Sequence, residues 1–351
     1  MPGNRMSRDE FYAKLSGLDE AQLHKALWTL YWRGSAQVRE RIEAQLEPEQ
    51  AATRRRDPEP PDGAAVLAEV RELATLARKG AYLGGDRRVS TRERSGWRFT
   101  FKRLVTEARE ALRGEDLASA AAALEQLVDL ACETREFDYF RSEDPISAAG
   151  VVVSDVVEDL WTALREARDV AELAARAAPQ LARWESAYGW TRHGHGRVAQ
   201  RERSLAAVLG AMLRAPDHWD AVATHYLAAL DAIADGGAPT IQRTSRSADR
   251  GRSERAASLA EWHGLLVDHL VGSEAEGLLD RLATHAALGG PELRLVEARL
   301  AHARGEADRA EELIHGCLEE LPGHDGFLDF AERVGAALPA RAREHVVARR
   351  R

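Results

Sequence analysis

His193 and His195, two apart in "GWTRHGHGR" (189–197), are by type the residues best suited to hold a metal ion or move a proton, and His218 and His225 fall on one face of a predicted helix. A zinc-type site needs at least three converging ligands, and no spacing joins these two pairs, so neither a metal nor a cofactor is expected; an arginine-rich turn accounts for 189–197. The run "CETREFDYFRSEDP" (132–145) supplies carboxylates at Glu133, Glu136, Asp138, Glu143 and Asp144. Acid–base pairs need a defined separation and burial, which this run does not display, so solvated charge and helix capping are expected of it. Cys132 and Cys317 lack a CxxC partner and read as two small buried hydrophobes. A Walker motif, a GxGxxG after a strand, an HExxH and a nucleophile elbow are all missing from the sequence, so the expectation is a protein that is not an enzyme. A site assembled from His193, His195 and distant acids is the lowest-ranked alternative.

A second kind of chemistry is phosphate contact. In "DRRVSTRERSGWRFTFKR" (86–103), Arg94, Arg98 and Lys102 repeat every four residues along one helical stripe, with Arg87, Arg88 and Arg103 nearby and Trp97 and Phe101 on the adjoining stripe. That pattern makes an accessory role in DNA or RNA metabolism the alternative function. Two facts weigh against it: solvated charge on an amphipathic helix is the commoner explanation, and the formal net charge of −8 is opposite to the field that recruits nucleic acid.

A third kind is partner recognition. In "LWTLYWRGSAQVRERIEAQL" (27–46), Leu23, Leu27, Leu30 and Tyr31 share one side of a predicted helix over 20–33, while Trp28 and Trp32 lie a turn apart and about 60–100° further round. The apolar arc spans about half the circumference, wider than the ~100° stripe that meets a single core, so two contacts are implied. The first four residues pack on the 35–46 helix. Trp28 and Trp32 take the second contact, either within the protein's own body or, with Arg33 at the rim, on a partner.

These residues sit in a chain that reads as helical nearly throughout. At 351 residues, 44% hydrophobic and 30% charged, it is long enough for two or more domains or one repeat array. Lysine occurs only at positions 14, 25, 79 and 102, and the arginine and alanine bias is that of a GC-rich, bacterial genome. The N-terminus lacks an apolar run of signal-peptide type and no stretch reaches the ~18 apolar residues of a membrane span, so the expected location is cytoplasmic. Residues 1–46 form a predicted helical hairpin. The proline-rich 47–63 reads as a linker, and 64–234 as a helical domain whose starts are marked by Ser90-x-x-Glu93 and Asp144-Pro145. The glycine-, serine- and arginine-rich 235–258 reads as a flexible loop before a last domain over 259–351.

Within that last domain, "PELRLVEARLAHARGEADRAEELIHGCLEELPGH" (291–324) has a helix pair meeting at Gly305, a small residue at Ala310, core positions at Ile314, Cys317 and Leu318, and a closing Pro322. It resembles a tetratricopeptide repeat. Arg294, Glu297 and Ala301 depart from the family's usual aromatic, leucine and tyrosine. A weaker copy lies one period earlier, with Gly272 for Gly305, Gly277 for Ala310, and Trp262, Leu266, Leu278 and Leu282 as apolar positions; a helix pair around Gly114 is a degenerate third. Phe327, Phe330, Val334 and Leu338 read as a capping helix. The resemblance implies an all-α fold of stacked helical hairpins, α-solenoid-like, with a concave surface that holds a protein or peptide. The expected function is that of a non-enzymatic interaction or adaptor protein.

Overall fold

The computed structural model describes residues 7–46, 59–84, 88–167, 169–185, 196–236 and 245–349. No strand occurs among them, and the protein is all-α. The chain divides into two compact units, Met1–Glu59 and Pro60–Arg351.

The first unit holds α1 (Arg8–Ser16), α2 (Glu20–Arg33) and α3 (Ala36–Leu46). Capping boxes start α1 and α2: Ser7 with Glu10, and Asp19 with Gln22, whose backbone N–H donates to Asp19 Oδ1 at 2.7 Å. At the α2–α3 turn a Cβ on Gly34 would strike the Leu30 carbonyl and the Val38 side chain, so only glycine permits so tight a reversal. Tyr31 Oη donates to Glu43 Oε1 at 2.7 Å across the pair. The expected packing of four residues on α3 is only half realised. Leu23 and Tyr31 are half-buried, but Leu27 and Leu30 remain 42% and 59% exposed. The cause lies in α3, whose large branched apolar side chains are Val38, Ile42 and Leu46, the last 70% exposed, too little to cover that face. The proposed linker falls largely at 47–58, outside the described residues.

The second unit runs through α4 (Gly63–Arg78), α5 (Thr91–Ala111), α6 (Leu117–Glu133), α7 (Pro145–Ala149), α8 (Val153–Ala167), α9 (Val170–Trp184), α10 (Leu205–Met212), α11 (Pro216–Ala234), α12 (Ser245–Ser258), α13 (Ala260–Leu270), α14 (Gly277–Ala283), α15 (Pro291–Ala303), α16 (Ala307–Glu320), α17 (Asp325–Val334) and α18 (Ala340–Arg349). Local capping sets several of the starts. Ser90 and Glu93 form the expected box, with bonds of 2.8 and 3.2 Å, and Asp144 accepts from Ser147 N at 3.0 Å with Pro145 at the first helical position. Two other starts are capped from far away in sequence. Glu202 accepts from the N–H groups of Val153 and Ser154 at 2.6 and 2.9 Å, and Glu185 from Ala206 at 3.1 Å. Burial pushes the Glu202 carboxyl up, and the bonds from the α8 N-terminus oppose that rise.

The main core extends from Val66 in α4 to Leu300 in α15 and encloses Trp161, Trp184, Tyr226 and Trp262. It crosses the expected boundary at 235–258 without a break. Trp219 of α11 stacks on Trp262 of α13 with ring centroids 5.6 Å apart, so 64–234 and the helices after 259 share one core. Nor is 245–258 a loop. It forms α12, a polar helix with an Arg250–Glu254 pair one turn apart, which buries Ala256 and whose Arg255 donates to the Ala287 carbonyl at 2.7 Å. Helix-forming arginine, alanine and glutamate, together with those tertiary anchors, outweigh the glycine and serine that suggest disorder. Core continuity changes instead within α15: Leu293, Val296 and Leu300 face the main core, while Leu295 and Ala298 face a second one with Ile314, Cys317, Leu318, Phe327 and Phe330.

Among the described helices the most extensive pairings are α15 with α16, α9 with α11, and α4 with α6. Only the first joins consecutive helices. In the other two, α10 and α5 intervene in sequence, so the body interleaves its helices and the C-terminal end pairs neighbours. Gly305, at φ +81°, makes the α15–α16 turn, and Ala310 is buried as the spacing requires. Its expected counterpart Gly277 is exposed, with open space where a Cβ would sit, so the earlier pair α13–α14 does not close about that position. Arg294, one of the departures from the repeat pattern, forms an ion pair with Glu320 of α16. Ala310→Trp is expected to overpack the α15–α16 contact and cost about 1–3 kcal/mol. Thermal unfolding reads this directly, and a wild-type transition would refute close helix approach there.

Candidate functional site

On α2, Trp28 stacks on Trp32 with centroids 5.7 Å apart and an interplanar angle of 24°, and on Tyr31 at the same distance and 27°. The i, i+4 spacing brings the tryptophans together, and the bond from Tyr31 to Glu43 anchors the third ring. Trp28 and Trp32 are 60% and 71% exposed, and α2 buries none of its residues. Arg33 follows at the end of the helix, also exposed, with no carboxylate partner among the described residues. The arrangement is an exposed, stacked aromatic platform with a cation at its edge.

The basic cluster on α5 separates on inspection. Arg87 lies outside the described residues. Arg88 donates to the Lys79 carbonyl at 3.2 Å. Arg94 turns inward, its guanidinium donating to the Ala81 and Val89 carbonyls at 3.4 and 3.0 Å. Arg103 holds Glu69 and Glu107 at 2.7 and 2.6 Å, and those bonds raise its pKa further. Arg98 and Lys102 are exposed without a carboxylate partner among the described residues, Arg98 with its guanidinium over the neighbouring Phe99 ring at 4.8 Å. The α5 stripe is therefore not a continuous run of free cations. Arg141, which sequence spacing did not single out, joins Arg94 and Arg98 in lining one groove of about 370 Å³.

His193 and His195 lie outside the described residues. His218 and His225 are half-buried on α11, and among the described residues no three His, Cys, Asp or Glu side chains converge as metal ligands. Of the 132–145 carboxylates, Asp144 caps α7 and Glu133 joins α6 to Arg78, while Glu136, Asp138 and Glu143 are exposed. Burial alone would raise the Glu133 carboxyl, but hydrogen bonds from Arg78 (2.9 and 2.7 Å) and Tyr139 (3.0 Å), with the arginine's charge, hold it below the usual range. Cys317 is buried, its Sγ 3.3 Å from the Pro291 carbonyl, and burial pushes the thiol up to about 11, far from a reactive thiolate.

One buried polar pair escaped the sequence reading. Tyr226 Oη and His263 Nε2 lie 2.7 Å apart, both fully shielded from solvent. Burial raises the tyrosine's pKa, and burial followed by the nearby Arg299 charge lowers that of His263 to about 3. A proton-transfer pair needs access to a substrate, which neither group has, so the contact belongs to the core. Comparison of the chain with protein-family models, with curated proteins and with solved structures finds no match in any of the three.

Proposed function

We propose that this chain is a non-enzymatic interaction protein that docks onto another protein through the α2 face carrying Trp28 and Trp32. The observation that carries the reading is that α2 buries none of its residues although Leu27, Trp28, Leu30 and Trp32 leave 42–71% of their surface open. Water-exposed aromatic area at this density is what an amphipathic helix offers to an apolar groove. Tryptophan and arginine are enriched among the residues that carry binding energy. The stacked rings are already held in place, which lowers the ordering cost of association. The partner surface that fits is an apolar cleft with a carboxylate at its rim for Arg33. The tetratricopeptide-like 291–324 segment supports the same class of function and offers a second, peptide-holding surface. No described helix is long and apolar enough to cross a membrane, and the reading places the protein in the cytoplasm. Nucleic-acid contact through 87–103 is the weaker reading, because Arg94 and Arg103 are already engaged within the chain.

The double variant Trp28→Ala/Trp32→Ala tests this. Truncating side chains so exposed should alter stability by no more than about 0.5 kcal/mol. Binding to a partner identified by affinity capture from the native host should fall at least a hundredfold, since hot-spot residues cost about 2 kcal/mol or more each. Equal binding by both forms, or a large loss of stability, would overturn the proposal.

A further inference from the structure

Independently of the docking face, we infer that the groove between the start of α5 and the 141–148 segment binds the phosphate group of a small phosphorylated molecule. Arg98 and Arg141 reach the groove from different elements, and neither has a carboxylate partner among the described residues. By contrast, Arg78, Arg103, Arg109, Arg176 and Arg203 each hold an acid. In a chain of net charge −8, Arg98 and Arg141 on one concavity concentrate positive charge there.

The positions of the two arginines are fixed by the core. Trp97, which forms part of the groove wall, stacks on Phe140 with centroids 4.1 Å apart, and both rings are almost fully buried. Arg98 is the chain neighbour of the first ring and Arg141 of the second, so packing between the rings holds the two backbones from which the guanidinium groups extend. Arg94 lines the same wall, its guanidinium held by the Ala81 and Val89 carbonyls. Thr91, Ser95 and Ser142 bring hydroxyl donors to the lining. Planar guanidinium forks with adjacent hydroxyls suit the tetrahedral oxygens of a phosphate better than a lone planar carboxylate.

The extent of the site selects the ligand. A nucleic-acid strand needs a track of cations, one for each phosphate it neutralises. Further along α5 that track stops, since Arg103 is neutralised by Glu69 and Glu107, and Arg88 is turned to the Lys79 carbonyl. What remains is one focus of charge in a groove of about 370 Å³, the scale of a small-molecule pocket.

Isothermal titration of the full chain at low salt with inorganic phosphate, adenosine monophosphate, adenosine and a twelve-nucleotide single strand tests the inference. The expected result is binding of the monophosphate or of phosphate alone, no binding of adenosine, and a tenfold or greater loss in both Arg98→Gln and Arg141→Gln, with wild-type thermal unfolding of each variant. Stronger binding of the monophosphate identifies an ester as the ligand, and equal binding identifies the free ion. No heat from either phosphate compound overturns the inference, as does binding that both variants retain. A strand that binds more tightly than the monophosphate, with a salt dependence worth several counterions, would replace it with a nucleic-acid surface. None of these outcomes bears on Trp28 and Trp32, so failure here leaves the docking proposal standing.

Discussion

Trp161→Ala should lower the unfolding free energy by about 3–5 kcal/mol, the range for a buried aromatic truncated to alanine. The indole is fully shielded in α8 within the main core, and its Nε1 donates to Gln180 Oε1 at 2.7 Å. Gln180 is itself almost completely buried and donates onward to Glu125 at 2.8 Å, while Arg176 pairs with the same carboxylate. Truncation therefore leaves a cavity and also strands an amide oxygen that has no water to turn to. Trp161→Phe separates the two costs, because it retains most of the volume and removes only the donor; it should lose about 1–3 kcal/mol. Urea unfolding of both variants measures the split. If the alanine variant loses less than 1 kcal/mol, the ring is not the core element described here. The contrast with Trp28 and Trp32 is the useful control. The same residue type lies on helices of similar length, and exposure alone separates a large stability effect from none.

That contrast marks how far local sequence reasoning reaches. Helix starts at Ser90 and Asp144 were legible because a capping side chain acts on backbone two or three residues away. Trp28 and Trp32 stand out in the sequence because an apolar arc wider than one stripe calls for a second surface, and in the structure both are exposed. The caps provided by Glu202 and Glu185 were not legible, since each reaches across a fold that must already exist. The same holds for Arg141. The 132–145 run shows carboxylates and turn residues, and nothing in it says that the arginine will line a groove with Arg98 beside a Trp97–Phe140 stack. The 245–258 helix was misread for a different reason. Its composition is polar on every side, so periodicity is silent, and what orders it is burial of Ala256 and the Arg255 bond to Ala287 in a later segment. In the basic cluster the spacing gives no sign that Arg94 turns inward to the Val89 carbonyl or that Arg103 meets Glu69, which lies on another helix.

Lowering the pH from 7 to 5 should destabilise the second unit by about 2 kcal/mol through His263 alone, given an ordinary histidine pKa near 6.5 in the unfolded chain and a value of about 3 in the folded one. The folded pKa is depressed because burial disfavours the imidazolium and the Arg299 charge repels it. Tyr226, facing the ring from α11, is neutral throughout this range, since burial raises its pKa. The neutral imidazole is thus the form that the fold selects, and its stabilising contribution is complete above pH 6.5. As pH falls through that value the unfolded chain takes up a proton that the folded one refuses, so the contribution shrinks steadily towards pH 3. The carboxylates act in a separate window. Glu133, held below the usual range by Arg78 and Tyr139, and Asp280, held there by Arg304, lose their contributions mainly below about pH 5, as the unfolded carboxyls take up protons. Burial of the Glu202 carboxyl acts in the opposite sense as the pH falls, so comparison with a His263 variant, rather than the interval alone, isolates the histidine in urea unfolding between pH 7 and 5. His263→Gln keeps a hydrogen-bonding group opposite Tyr226 but has no proton to take up, so its stability should be nearly flat over the interval in which the wild type declines. Equal slopes in the two proteins would show that His263 is not the group that senses acid, and that its ring is less enclosed than the contact with Tyr226 implies.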